Sequence, residues 1–281
     1  MKSNYRIRCG KYLLNLKKRP YIMGILNVTP DSFSDGGLYL NIEKAVEHAR
    51  RMAAEGADII DIGGESSRPG AGSVSLNEEL KRVIPVIEAL SRKIDVPISI
   101  DTYKAEAARQ SLNAGASIIN DISGLRFDPM MVKVAAEANA PVIIMHMKGI
   151  PRDMQKRPLY KDVVKEIISF FKERISYAIK NGIKKNKIII DPGIGFGKTV
   201  RHNLEIIKRL GEFRSLGVPI LLGPSRKSFI GRILDAAPEK RMEGTAAVVA
   251  IGIANGANIV RVHDVKAMAD VAKATDAIMR G

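Results

Sequence analysis

Apolar, largely β-branched runs recur along the chain, and each runs into polar residues. They are "YIMGILNV", "ADIIDIG", "VPISID", "ASIINDIS", "PVIIMHM", "KIIIDPG", "VPILLGPS" and "ANIVRVHD". Continuous apolarity, rather than strict alternation, marks strands buried on both faces. Between the runs lie stretches of helical period, among them Glu43 to Glu55, Leu76 to Arg92, Lys104 to Asn113, Val163 to Lys180 and Val265 to Met279. Strand and helix alternate throughout, which predicts an α/β fold with a parallel sheet. About eight such units in 281 residues favour a closed (β/α)8 TIM barrel, with an open doubly wound sheet as the alternative. Ahead of the first unit, "YRIRCGKYLLNL" predicts a short β-hairpin that turns at Gly10 and Lys11 and plugs the barrel floor. No Pro/Gly/Ser linker or compositional break divides the chain, so one domain over residues 1–281 is expected.

In such a barrel the strands pass into the loops that build the site, so the residues at their ends carry the candidate chemistry. These ends hold Asn27, Asp61, Asp101, Asn120 with Asp121, His146, Asp191, the "GPSRKS" segment, and Arg261 with His263. One Asp in such a place commonly caps a helix or orders a loop. A polar end on nearly every strand is harder to explain by structure alone. Asp101, Asn120 and Asp191 are acceptors suited to a planar, donor-rich edge such as an amidine or aminopyrimidinone. Arg68, Lys227, Arg261 and His263 are donors for an anion, most simply phosphate. The implied ligand is a heterocycle carrying phosphate, and a buried Asp101–Lys227 ion pair is the structural alternative. "GPSRKS" opens the seventh helix, where Ser228 and the first backbone N–H groups could bind a carboxylate or phosphate and Ser225 could serve as the cap.

The stretch "DPGIGFGKTV" almost reads as a phosphate-binding loop, but Pro192 stands where the first Gly of that motif is needed to let the backbone cradle phosphate. The dinucleotide fingerprint fails too, since counting from Gly193 and Gly195 places Lys198 where its third Gly should be. "NVTPDSFSDGG" and "GGESSRPGAG", which follow the first two strands, are long, polar and Gly-rich, the pattern of loops that close over a site.

Charge changes this picture little. The net charge of +15, from 45 Lys and Arg against 30 Asp and Glu, raises nucleic acid or an anionic small molecule as partner. The excess gathers in Met1 to Pro20, which contains no acid, and in Lys148 to Lys187. Aromatics are only 5%, Trp is absent and no RNP-like or zinc-finger spacing appears, so base stacking has no support and no nucleic-acid partner is expected. The single Cys9 excludes an intramolecular disulfide and agrees with a reducing compartment. The N-terminus lacks the apolar core of a secretory leader, and no apolar run approaches the roughly 20 residues of a membrane span, so a cytoplasmic protein without membrane association is expected.

Taken together, "MGILNVTPDSFSDGG", "IDIGGESSRPG", "SIDTYK", "IINDISG", "DPGIGFGKT", "GPSRKSFIG" and "RVHDV" resemble the successive signatures of the dihydropteroate synthase family, from Tyr21 almost to the C-terminus. The resemblance implies a TIM-barrel enzyme of folate synthesis, a sulfonamide target. It would join 6-hydroxymethyl-7,8-dihydropterin diphosphate to p-aminobenzoate and release diphosphate. By matching positions, Asp101, Asn120, Ile122, Met145, Asp191, Gly223 and Lys227 would surround the pterin. Asn27, Ser67, Arg68, Arg261 and His263 would bind the diphosphate, with Mg²⁺ bridging its oxygens and Asn27 as the metal's protein ligand. Phe33, Pro69 and Phe196 would wall the p-aminobenzoate ring, and Ser228 would take its carboxylate. Asp101, Lys227, Arg261, His263 and Asp35 would be the residues that carry the chemistry, with Asp31 and Asp35 organising metal and loops or merely capping turns. Without the resemblance, Phe33 and Phe196 would read as loop packing. Lys198 reads as a loop cation, and His146 as a core or loop-ordering residue. A homodimer is implied by the family.

Two alternatives share the expected barrel: pterin-binding methyltransferases that serve corrinoid proteins, and a catalytically silent pterin-binding paralogue. The first has no need of Arg68, Lys227, Ser228, Arg261 and His263 as a diphosphate and arene set, and the second usually carries a damaged first loop, whereas "NVTPDSFSDGG" is intact. One departure stands out: the family's usual "ESTRPG" has Ser67 in place of Thr here, which keeps the hydroxyl and loses a methyl.

Overall fold

The structure, a computed structural model, describes residues 5–29, 38–66, 72–150, 154–156 and 158–281, with the backbone alone described over 38–41. Asp31, Phe33, Asp35, Ser67, Arg68 and Pro69 lie outside the described residues.

Two antiparallel strands, β1 (Arg6–Cys9) and β2 (Tyr12–Asn15), form the N-terminal hairpin, with Cys9 opposite Tyr12. Gly10 adopts φ +55 in its turn, the left-handed conformation that a two-residue hairpin loop demands. The eight apolar runs become β3 (Tyr21–Asn27), β4 (Ile59–Gly63), β5 (Ile98–Asp101), β6 (Ile118–Asp121), β7 (Val142–Met145), β8 (Ile188–Asp191), β9 (Leu221–Leu222) and β10 (Ile259–Val262). They pair in parallel in the order β8-β7-β6-β5-β4-β3-β10-β9. A parallel bridge between Ile190 and Ile220 brings β8 against the segment entering β9, so the sheet curls into a near-closed barrel rather than an open doubly wound sheet. Pro219 and Pro224 flank β9, and a residue without an N–H cannot extend a ladder, which accounts for its two-residue length.

Helices α1 (Leu38–Ala54), α2 (Leu76–Ser91), α3 (Ala105–Ala114), α5 (Val163–Lys180) and α9 (Val265–Arg280) coincide with the periodic stretches of the sequence. Others, α4 (Met131–Glu137), α6 (Val200–Lys208), α7 (Ser228–Leu234) and α8 (Met242–Ala254), complete the outer ring. Helix starts are fixed locally: Asp162 accepts from the N–H groups of Val164 and Lys165 at α5, and Thr199 with His202 forms a capping box at α6. Among the described residues, no helix is long and apolar enough to cross a membrane.

What positions the site is the barrel interior. The floor is an apolar layer of Met23, Ile59, Ile118, Ile143, Ile189, Leu221 and Ile259, packed against Ile7, Cys9, Leu14 and Leu16 of the hairpin. Burial there pushes the Cys9 thiol up to about 12, which leaves it unreactive. Side chains alternate across a strand, so every second residue counted from the floor also faces inward. That count reaches Asn27, Asp61 and Gly63, Asn120, Met145, Asp191, Gly223, and Arg261 with His263. The same pleat therefore gives one apolar end and one polar end.

Candidate active site

At the polar end, Arg261 in β10 is the centre of a charge cluster. Its Nε donates to Asp61 Oδ2 at 2.6 Å and its Nη2 to Asp101 Oδ2 at 2.7 Å. Asp61 is fully buried and also accepts from Asn120 Nδ2 at 3.0 Å. A carboxylate can only accept, so this bond fixes the Asn120 amide and leaves Oδ1 as its free acceptor face. Burial, opposed by Arg261 and reinforced by Asp61, pushes the Asp101 carboxyl up to about 7. Burial alone would lower the Arg261 guanidinium, but Asp61 and Asp101 hold it above its ordinary value.

Gly63 and Gly223 leave room between these groups. A Cβ on Gly63 would stand 3.8 Å from Asp101 Oδ2 and 3.9 Å from Asn27 Oδ1, and one on Gly223 would stand 3.8 Å from Arg261 Cβ and 3.9 Å from Asp191 Oδ2. Asn27, Asp101, Asp191 and Arg261 therefore share one mouth. Asp191 is buried with its Oδ1 accepting from the Gly193 N–H at 2.7 Å, and burial, partly offset by that bond, raises its carboxyl.

Lys227 does not pair with Asp101. Among the described residues it makes no ion pair, and its Nζ lies 4.2 Å from the centroid of the Phe196 ring. Burial, aided by Arg261 and opposed by Asp191 and Asp101, lowers its ammonium to about 8. Lys227 is the N-cap residue of α7, in an extended conformation at φ −64 and ψ 151. The preceding residue is strained: Arg226 has φ +56, a conformation that costs a non-glycine residue about 1 kcal/mol or more. It is held there by a two-pronged pair with Asp264 at 3.0 and 2.5 Å, by its N–H on Thr245 Oγ1, and by Arg241 on its carbonyl. The strain aims the next side chain, Lys227, into the barrel mouth.

Ser225 is no helix cap. Its Oγ accepts from the His263 N–H at 3.2 Å and lies 3.0 Å from His263 Nδ1. Burial, with Arg261 adding to it, drops His263 to about 3, so it offers a neutral N–H donor rather than a cation.

Ile122, Met145 and Phe196 gather with Met147 and Met154 in an apolar cluster against Tyr103, the non-polar wall of the mouth. Phe196 belongs to the glycine loop after β8. Gly193, Gly195 and Gly197 adopt φ of +70, +84 and +62, and a Cβ on the first or third would collide with the backbone carbonyl of His146 or Lys148. These glycines fold the loop tightly over the segment after β7. They serve close backbone packing, which gives the near miss in the sequence a structural role. Lys198 is not an exposed loop cation: it is 3% exposed and burial lowers its ammonium to about 7. His146 is buried beside it and stays neutral, as burial and then Lys198 depress it.

Sequence reasoning placed Asp61 among the strand ends without giving it a partner, and it passed over Arg226 altogether. Ser228 begins α7, a short helix that precedes the longer α8. Among the described residues, no group of three His, Cys, Asp or Glu side chains could hold a metal ion. The described residues therefore build no cage for a resident metal, whereas an ion carried on a ligand's own phosphates, needing one neutral oxygen such as Asn27 Oδ1, fits them.

Residues 23–263 match the family model described as "Pterin binding enzyme". A curated dihydropteroate synthase of Synechocystis sp. is 52% identical over 272 residues, covering 96% of this chain and 94% of that protein. The structure of Yersinia pestis dihydropteroate synthase in a sulfonamide drug complex superposes with a TM-score of 0.93 at 45% identity, covering 98% of this chain and 100% of that one. Xanthomonas albilineans dihydropteroate synthase in complex with 7,8-dihydropteroate superposes at 0.89 and 42% identity, covering 98% and 99%. With its barrel, its ring of inward acceptors and this similarity over nearly the whole length, the chain belongs to the dihydropteroate synthase family of pterin-binding enzymes.

Proposed function

We propose that the chain is a transferase of folate synthesis that condenses 6-hydroxymethyl-7,8-dihydropterin diphosphate with p-aminobenzoate to give 7,8-dihydropteroate and diphosphate. The observation that carries this reading is one barrel mouth holding the acceptors Asp101, Asn120 and Asp191 beside the half-buried cations Lys227 and Arg261. The donor-rich edge of the pterin lies against those acceptors, with Lys227 reaching the ring from the other side and Ile122, Met145 and Gly223 shaping the slot. Asn27, Ser67, Arg68, Arg261 and His263 take the diphosphate. Phe33, Pro69 and Phe196 wall the arene, Ser228 takes its carboxylate, and Asp35 helps order the first loop. Mg²⁺ held by Asn27 and the diphosphate would add charge neutralisation at the leaving oxygens.

The C–O bond from the pterin methylene to diphosphate breaks, and its electron pair leaves on the diphosphate, where the cations stabilise it. The dihydropterin shares the positive charge left on the methylene. The arylamine lone pair then forms the C–N bond and the nitrogen sheds its proton, so no protein nucleophile is required. Product formation that needs both substrates and Mg²⁺ tests this reading; pterin binding without product would point instead to the silent paralogue.

The pH dependence has a defined sign. Asp101 accepts pterin donors as a carboxylate, which is lost as pH falls through about 7. Lys227 donates as an ammonium, which is lost as pH rises through about 8. A narrow bell in kcat/KM with limbs near these values is expected, the values belonging to the coupled cluster rather than to isolated groups. A flat profile from about pH 5.5 to about 9.5 would remove these ionisations from the reaction.

The homodimer rests on exposed apolar side chains on neighbouring helices: Leu204 of α6, Ile233 and Leu234 of α7, and Met242 and Ile251 of α8. Sedimentation at the 30.7 kDa of a single chain would refute it.

A further inference from the structure

The buried ammonium of Lys198 has no role in the reaction above, and its surroundings are unusual. Among the described residues it has no carboxylate partner. Its Nζ bonds to Phe196 O at 2.9 Å, to His146 O at 3.3 Å and to His146 Nδ1 at 3.0 Å. A buried lysine spent on two carbonyls and a neutral imidazole is costly to desolvate, and a structural loop has cheaper ways to close.

What those bonds join is informative. The His146 N–H donates to the Asp191 carbonyl at 2.9 Å, so His146 is tied to the strand end that carries a pterin acceptor. The Phe196 carbonyl belongs to the residue whose ring stands against Lys227 Nζ. Gly195, next to Phe196, packs along the Lys227 stem, where a Cβ would lie 3.2 Å from Cδ. The Tyr160 hydroxyl donates to Gly197 O at 3.0 Å, securing the far side of the loop but not Phe196. Gln155 Nε2 donates to the Gly195 carbonyl and Asn203 Oδ1 accepts from the Gly195 N–H, so the peptide before Phe196 is also held, but among the described residues Lys198 is the side chain that binds the Phe196 carbonyl and ties it to His146.

We propose that Lys198 is a positioning residue: by gathering the Phe196 and His146 carbonyls it sets the Phe196 ring, and through that ring the arene pocket and the seat of Lys227. The inference rests on the reading of the site as a dihydropteroate synthase centre. Phe196 is the contact it acts through, so its loss falls on the second substrate more than on the first. An uncharged residue at 198 leaves two buried carbonyls unpaired, and the loop relaxes to reach other donors.

A double-mutant cycle tests this, with steady-state kinetics for both substrates. Lys198→Met is expected to raise KM for p-aminobenzoate about tenfold while KM for the dihydropterin diphosphate moves less than about threefold, tenfold being the order expected when a buried acceptor loses its donor. In a Phe196→Ala background the same change is expected to add almost nothing, because the ring it positions is gone. Equal effects on both substrates, or effects that multiply in the cycle, would overturn the proposal and leave Lys198 a general stabiliser of the loop. Should Lys198→Met not fold, Lys198→Gln keeps a donor without the charge and is put through the same cycle, with the same outcomes deciding. The wild-type chain run alongside separates the two readings: no dihydropteroate from it sinks the synthase assignment, whereas turnover with an additive cycle sinks only the role of Lys198.

Discussion

Arg261→Met is expected to abolish measurable turnover and to destabilise the fold by about 3–5 kcal/mol near neutral pH, the range for breaking a buried ion pair from one side. One guanidinium neutralises two carboxylates here, Asp61 with no exposure and Asp101 with 13%. Without it the two acids face each other across the barrel interior, and at least one must take a proton. The Asp101 carboxyl, already raised by burial and held down in part by Arg261, rises further above its unfolded value, so the variant binds more protons folded than unfolded. Its stability must therefore fall as pH rises through the raised carboxyl value and recover on acidification. Urea unfolding at about pH 5 and about pH 8 reads this directly. Asn120 is expected to follow, since the oxygen that orients its amide is the one Arg261 holds. Arg261→Lys should recover only part, because one ammonium cannot reproduce a fork that reaches two acids at 2.6 and 2.7 Å. A variant as stable as wild type at pH 8 and still turning over would show that the cluster is dispensable.

The barrel was legible because its strands announce themselves by unbroken apolar runs, and the mouth because pleating forces the polar strand ends to face one another. The role of Asp61 was not. Its partners lie 200 residues away in Arg261 and 59 away in Asn120, and only the closing of the sheet between β10, β3 and β4 makes one residue's oxygen serve both. Helix α8 escaped for a different reason. "MEGTAAVVAIGIA" is apolar almost all round, so it has no polar face to set a period. Its glycines face neighbours instead: a Cβ on Gly244 or Gly252 would run into Ile230 or Leu222. Lys198 was misjudged because a Gly-rich loop ordinarily lies in solvent, and nothing local in the sequence reports that three left-handed glycines wrap this one over His146.

Lys227→Met is expected to lower kcat/KM about 10²- to 10³-fold, the loss typical of removing one preorganised donor from a site sheltered from water. Methionine keeps most of the stem that packs along Gly195 and Phe196, so the effect reports the ammonium rather than a cavity. Because burial has already lowered this lysine to about 8, its charge is held at some cost, and the strained Arg226 beside it is what the fold maintains to present that charge. The pH profile supplies the second readout. If Lys227 is the donor, the alkaline limb near 8 vanishes in the variant while the acid limb from Asp101 remains. Arginine is not expected to rescue, since a planar guanidinium has no space where a Cβ on Gly195 would already meet the lysine stem at 3.2 Å. Near-wild-type turnover by Lys227→Met, with its alkaline limb intact, would transfer the donor role to Arg261 or His263. The pterin slot would then be defined by its acceptors alone, and a diphosphate held by Arg68, Arg261 and the neutral His263 would have to leave without help from the ring side.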